Sequence, residues 1–150
     1  LQVKGKLDVE QPEATAAPPA LGQDLTGAIK LLAAQARLHG AKVKLESKNN
    51  NIGFWTAAGD WIEWQLNLAQ AGRFSVIVDF ASKGDSTFEV VAGNQKLKAS
   101  VTKTGDYGKF TMASLGSLEL PAGQTSLAIK PVKESWKPIN LRSVVLKPAN

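Results

Sequence analysis

The chain contains no cysteine and a single histidine, His39. The first absence removes disulfides and thiolate metal sites. The second removes most familiar ways of activating a nucleophile or running general base catalysis. Arginine is also scarce: of 18 basic residues only Arg37, Arg73 and Arg142 are arginines. Nucleic-acid binders cluster Arg and Lys on one element and interleave aromatics with them. Here the lysines are spread along the whole chain, so the net charge of +5 reads as a solvated basic surface and not as a nucleic-acid footprint. No stretch reaches the roughly 18 apolar residues of a membrane-spanning helix, so no membrane insertion is expected. No signal peptide is visible, and the first residue is Leu1; an excised or mature part of a longer protein is the expectation.

What is present is one domain's worth of β-forming sequence. At 150 residues, 43% hydrophobic and 21% charged, the composition is that of a soluble globular domain. Residues 1–22 pass from a short alternating run into "EATAAPPA", which reads as an extension or linker. Residues 23–150 read as the folded domain. Its first part is ambiguous: helix propensity favours a helix from Asp24 to Leu38, whereas Gly27 and the following "AKVKLES" favour an extended chain.

Beyond that the period is two. Ile62, Trp64, Leu66 and Leu68 share one strand face, with Trp61, Glu63, Gln65 and Asn67 on the other. Phe74, Val76, Val78 and Phe80 repeat the pattern, and "STFEVVAGNQKLKASV" reads as a hairpin around Gly93 and Asn94. Further strands flank the turn at Pro121 to Gly123, and "INLRSVVLKP" closes the chain. About eight short strands with regular turn signals predict an all-β jelly-roll sandwich.

Catalytic chemistry has little to build on. No serine sits in a nucleophile-elbow pattern, and no phosphate loop or zinc spacing is present. Glu63 and Asp79 fall on strand faces opposite the apolar stripe, and Asp60 precedes a strand, where a carboxylate caps backbone N–H groups. The expectation is a protein that is not an enzyme. Aromatics and amides are better represented. Three polar segments carry rings: "NNNIGFW", "TGDYGKF" and "KESWKPIN". Exposed rings held on loops can stack against the C–H faces of sugars while Asn, Asp and Lys bond hydroxyls. In a jelly roll, loops joining alternate strands gather at one rim, so the three segments are expected to converge.

The ordered set "NIGFWTAAGDWIEWQLNLAQAGRFSVIVDFAS", "TKTGDYGKFTMASLGSLELPAGQTSLAIKP" and "INLRSVVLKP" resembles family 6 and family 35 carbohydrate-binding modules, which are galactose-binding-domain-like β-sandwiches. It is most similar to accessory domains C-terminal to bacterial fucosidases and sulfatases. The resemblance spans roughly Gly27 to Pro148 and makes "IKLLAAQA" a strand. It implies a sugar sandwiched between an aromatic of the "IG" turn, here Phe54 or Trp55, and an aromatic after "TG", here Tyr107, with Asn140 bonding its hydroxyls. Trp136 and Lys103 are further candidates for orienting the ligand.

The resemblance also implies a structural calcium site. Its ligand positions fall near Leu32 and Ala34 and at Arg142, which offer no hard oxygens, so that site is expected to be lost and no cofactor is expected. The implied partners are a glycan, with an anionic one among the options because Lys48, Lys103 and Lys137 lie near the same loops, and a catalytic domain of the same parent chain. The implied setting is extracellular or periplasmic. The competing expectation is a structural domain that packs on its catalytic partner and binds no sugar; buried or divergent positions for Trp55, Tyr107 and Trp136 would mark it.

Overall fold

A computed structural model describes residues 20–149. The expected linker at 1–22 therefore lies outside the described residues except at its end, and that end already belongs to the fold. The Leu21 N–H donates to the Gln65 carbonyl at 2.8 Å, and the Asn67 N–H donates to Leu21 at 2.9 Å.

Among the described residues eleven strands form two antiparallel sheets: β1 (Ile29–Leu32), β2 (Arg37–His39), β3 (Lys44–Glu46), β4 (Asn51–Gly53), β5 (Trp61–Leu68), β6 (Gly72–Ser82), β7 (Ser86–Ala92), β8 (Gln95–Val101), β9 (Thr111–Leu120), β10 (Gly123–Pro131) and β11 (Ile139–Pro148). One sheet runs β3-β4-β11-β6-β9, with β1 also paired to β11; the other runs β2-β5-β10-β7-β8. Among the described residues no helix is long and apolar enough to cross a membrane.

The period-two stripes become the core. Ile62, Trp64, Leu66 and Leu68 of one sheet face Phe74, Val76, Val78 and Phe80 of the other, and all eight are buried. Sheets that bury one face produce this alternation because a one-residue slip would turn every apolar side chain outward. The β7–β8 hairpin pairs Ala92 with Gln95 around Gly93, as expected. The turns after β5 and β9 carry the chain from one sheet to the other instead of forming hairpins.

The helix that propensity alone favours over Asp24 to Leu38 does not form. The Asp24 carboxylate accepts the Thr26 and Ala28 N–H groups at 2.8 and 3.1 Å, and the Thr26 hydroxyl at 2.6 Å. Gly27 takes a φ of 86°, outside any helix. This side-chain-to-backbone turn displaces a helical first turn, and "IKLL" then pairs with β11 from Ile29↔Leu146 to Leu32↔Ser143. Only Ala33–Gln35 coil, as a single 3-10 turn, so the extended reading holds for "IKLL" and fails for "AAQ".

Strand directions give the sandwich two distinct ends. At one end lie the residues after β4, the β6–β7 and β8–β9 connections, and the 132–138 loop before β11. At the other lie the turns after β5, β7 and β9, together with Leu21 and Ala149. Leu21 and Ala149 therefore lie at the end opposite the aromatic loops.

Candidate functional site

The three aromatic segments meet at one end of the sandwich. They enclose a cavity of about 260 Å³ lined by Glu46, Phe54, Trp55, Thr56, Tyr107, Pro138, Ile139 and Asn140. The Asn140 side chain donates from Nδ2 to the Tyr107 carbonyl at 3.0 Å, tying the start of β11 to the 102–110 loop.

The turn at Gly53–Phe54–Trp55 decides which aromatic is on offer. Phe54 has a φ of 52°, a left-handed conformation that a bulky residue rarely adopts. Such a backbone costs about 1–2 kcal/mol. It sends the two adjacent rings in opposite directions. Phe54 is 60% exposed and Trp55 is 0% exposed. The Trp55 indole donates to the Asp60 carbonyl at 2.8 Å, which satisfies its N–H as burial requires. Asp60 is itself buried, with its carboxylate accepting the Lys42 and Val43 N–H groups at 3.0 and 2.9 Å. Its expected capping role is thus seen.

Trp55 cannot present a ring face to a ligand, and the expectation of stacking on it is corrected; Phe54 is the exposed ring of this turn. Trp136 is corrected likewise. It is 8% exposed, its indole donates to the Trp55 carbonyl at 3.0 Å, and its ring lies 4.8 Å from Trp55 and 6.3 Å from Phe88. Trp55, Trp136 and Phe88 form a buried aromatic cluster of tilted and edge-on rings.

Phe54 and the half-buried Tyr107 are the accessible rings. Lys44 Nζ lies 5.8 Å from the Phe54 ring centre and Lys83 Nζ 5.3 Å from that of Tyr107, so each ring has an ammonium beside it. Glu46 was not among the residues singled out from sequence. It reaches the pocket because Gly53, which pairs with Lys44 on the neighbouring strand, has no side chain; a Cβ there would collide with Glu46 Oε1 and lie 3.0 Å from Asn140 Oδ1. The buried Asn51 holds Glu46 by donating from Nδ2 to Oε1 at 2.9 Å. The signal was in the sequence, as a glycine paired across a short hairpin near an acidic residue, but the pairing itself was not.

Lys103 does not line this pocket. Its N–H donates to Asp85 Oδ1 at 2.8 Å, and its residue lines a separate cleft behind the 102–110 loop. At the positions implied for calcium ligands, Leu32 is partly exposed and its carbonyl accepts the Trp64 indole N–H at 2.9 Å, while the Arg142 guanidinium lies 3.8 Å from the Phe110 ring centre. Trp61 lies on the outer sheet face as expected. His39 stacks on it at 4.0 Å, Lys130 Nζ lies 4.6 Å from its centre, and His39 Nε2 meets Glu63 Oε2 at 2.6 Å.

The sequence matches no protein-family model and no curated relative. Solved structures do match. A family 35 carbohydrate-binding module from Clostridium thermocellum aligns over 81% of this chain and 98% of its own, with a TM-score of 0.68 and 16% identity. The C-terminal family 6 module of a marine laminarinase from Zobellia galactanivorans aligns over 80% and 98%, with a TM-score of 0.66 and 19% identity. A β-1,4-mannanase from Podospora anserina that carries a family 35 module aligns over 83% of this chain at 23% identity and a TM-score of 0.68; the chain spans 28% of that protein. The fold is the β-sandwich of family 35 and family 6 carbohydrate-binding modules.

Proposed function

We propose that the pocket framed by Phe54, Tyr107, Asn140 and Glu46 binds a sugar residue of a glycan. The observation that carries the reading is the exposed Phe54 ring, held in a strained backbone at the mouth of a pocket whose other walls are an aromatic, an amide and a carboxylate. Strain in a bulky residue clusters where function requires it. Phe54 and Tyr107 supply flat apolar surface; Asn140 and Glu46 supply hydrogen-bond partners for hydroxyls. Aromatic stacking of this kind contributes about 1–3 kcal/mol per ring, and wet sugar contacts lie at the low end. Two rings and a few hydrogen bonds, after the cost of association, give micromolar to millimolar affinity. The ammonium groups of Lys44 and Lys83 favour a glycan with acidic decoration.

On this reading the domain is a non-catalytic module of a larger, exported glycan-active protein, in an extracellular or periplasmic setting. One feature supports tethering: the mannanase neighbour carries such a module beside its catalytic domain. The domain is also taken to work without calcium, since Leu32, Ala34 and Arg142 supply no carboxylate. The competing reading, a domain that only packs against a catalytic partner, draws on the burial of Trp55 and Trp136.

A glycan array probed with the wild-type domain, with Phe54→Ala and Tyr107→Ala beside it, separates the two. Glycan signals that both substitutions lower by tenfold or more support the sugar site. A silent array, or binding indifferent to both, leaves the packing domain.

A further inference from the structure

A second cleft lies elsewhere on the described residues. It has a volume of about 440 Å³ and opens on the side of the sandwich, where β8 of one sheet runs beside β9 of the other. Ligand sites in proteins run from about 300 to 1,000 Å³, so a monosaccharide unit fits.

Register explains the opening. Pairing with β6 places Thr111 opposite Phe80 and Ala113 opposite Val78, so both point toward the sandwich interior. Thr111 and Ala113 are too short to fill the space that larger apolar side chains fill elsewhere in the core. Further along the seam, Leu97 packs onto Gly116 so closely that a Cβ there would lie 3.0 Å from Leu97 Cδ1. The seam is thus sealed at one end and open at the other, by the 102–110 loop.

The lining has one sign of charge. Lys103 and Lys109 are among its lining residues, and no Asp or Glu is. Neither lysine meets a carboxylate of the described residues in an ion pair. The loop that carries them is fixed. The Thr104 hydroxyl accepts the Ser82 N–H and has the Ser82 and Asp106 carbonyls within reach of its single proton, and the Thr104 and Gly105 N–H groups donate to the Ser82 carbonyl. Those bonds consume the Thr104 hydroxyl, and Ser100 pairs with Thr87 at 3.2 Å. Thr102, Thr111, Lys103 and Lys109 remain to meet a ligand above a floor of Phe80, Val101 and Ala113. Hydroxyls and ammonium groups over an apolar floor suit a sugar ring bearing a negative group.

We propose that this seam is a second ligand site, separate from the Phe54 pocket, for a sugar residue carrying a sulfate or carboxylate group. The seam uses none of the residues of the Phe54 pocket and stands if that pocket binds nothing.

The test is amide NMR titration of the intact chain with four probes: a carrageenan tetrasaccharide, its desulfated neutral form, a galacturonate tetrasaccharide and inorganic sulfate. The expected result is saturable shifts at Thr102 to Thr104, Lys109, Thr111 and Ala113 with one or both acidic tetrasaccharides; which one responds distinguishes sulfate from carboxylate. Lys103→Ala/Lys109→Ala, at exposed positions, should weaken binding at least fivefold with an unchanged melting temperature. Phe54→Ala should leave the seam shifts intact. Equal weakening by the outer-face control Lys96→Ala/Lys98→Ala would reduce the effect to general charge and overturn the proposal. So would seam shifts with the neutral form, equal affinity for inorganic sulfate alone, or silence with both acidic probes.

Discussion

Two aromatic clusters, seven residues apart in sequence, reach the surface in opposite conditions. At Trp61 the ring has neighbours on both flanks: His39 from β2 stacks on it at 4.0 Å, and Lys130 from β10 lies 4.6 Å from its centre. At Phe54 the ring is 60% exposed, its nearest cation is 5.8 Å away, and its backbone is strained. Trp61 is the larger ring and the richer in contacts, yet its surface is already used within the sheet. Exposure and availability are separate properties. The stretch Phe54–Trp55–Trp61 contains one ring of each kind: available, buried and occupied.

The contrast can be broken at its foundation. Trp55→Ala removes a fully buried ring and is expected to lower unfolding free energy by about 3–5 kcal/mol in urea titrations, because a cavity opens below the pocket and the Asp60 carbonyl loses its partner. A loss under about 1 kcal/mol would mean that Trp55 is not the plug described here.

Phe54→Ala is expected to behave oppositely. Affinity for a glycan identified on an array should fall at least tenfold, corresponding to about 1.4 kcal/mol, while stability shifts by less than about 1 kcal/mol. Phe54→Gly sharpens the point: relief of the positive φ should raise stability by about 1 kcal/mol while binding is still lost. Trp61→Ala is expected to cost roughly 1–2 kcal/mol of stability through lost stacking and area and to leave glycan affinity unchanged; weakened binding there would extend the site onto the sheet face. The smallest expected effect is that of a chelator. EDTA should move neither the melting temperature nor glycan affinity, and a drop of several degrees would show that the domain uses a cation after all.

Legibility in the sequence followed the strength of repetition. The alternations through Ile62 to Leu68 and Phe74 to Phe80 needed only a period of two, and they became the facing halves of the core. Segment 24–38 was undecided because propensity and pairing disagree there; the Asp24 turn and the β11 partner settled it, and β11 lies more than 100 residues downstream. Convergence of the three aromatic loops followed from jelly-roll connectivity. The choice between Phe54 and Trp55 did not, since it depends on one backbone angle. Glu46 was missed because its place depends on a cross-strand glycine, and Lys103 was misassigned because the two sides of one loop serve different hollows.

The position of β11 bears on how the protein is made. The last strand lies inside its sheet, holding β1 and β4 on one flank and β6 on the other. During synthesis on the ribosome β1 and the β3–β4 pair cannot join the β6–β9 pair until residues 139–148 emerge, so closure of the sandwich is a late, long-range event. Truncation before Ile139 should yield an insoluble fragment, and a tag fused after the final strand is the safer reporter of a finished domain.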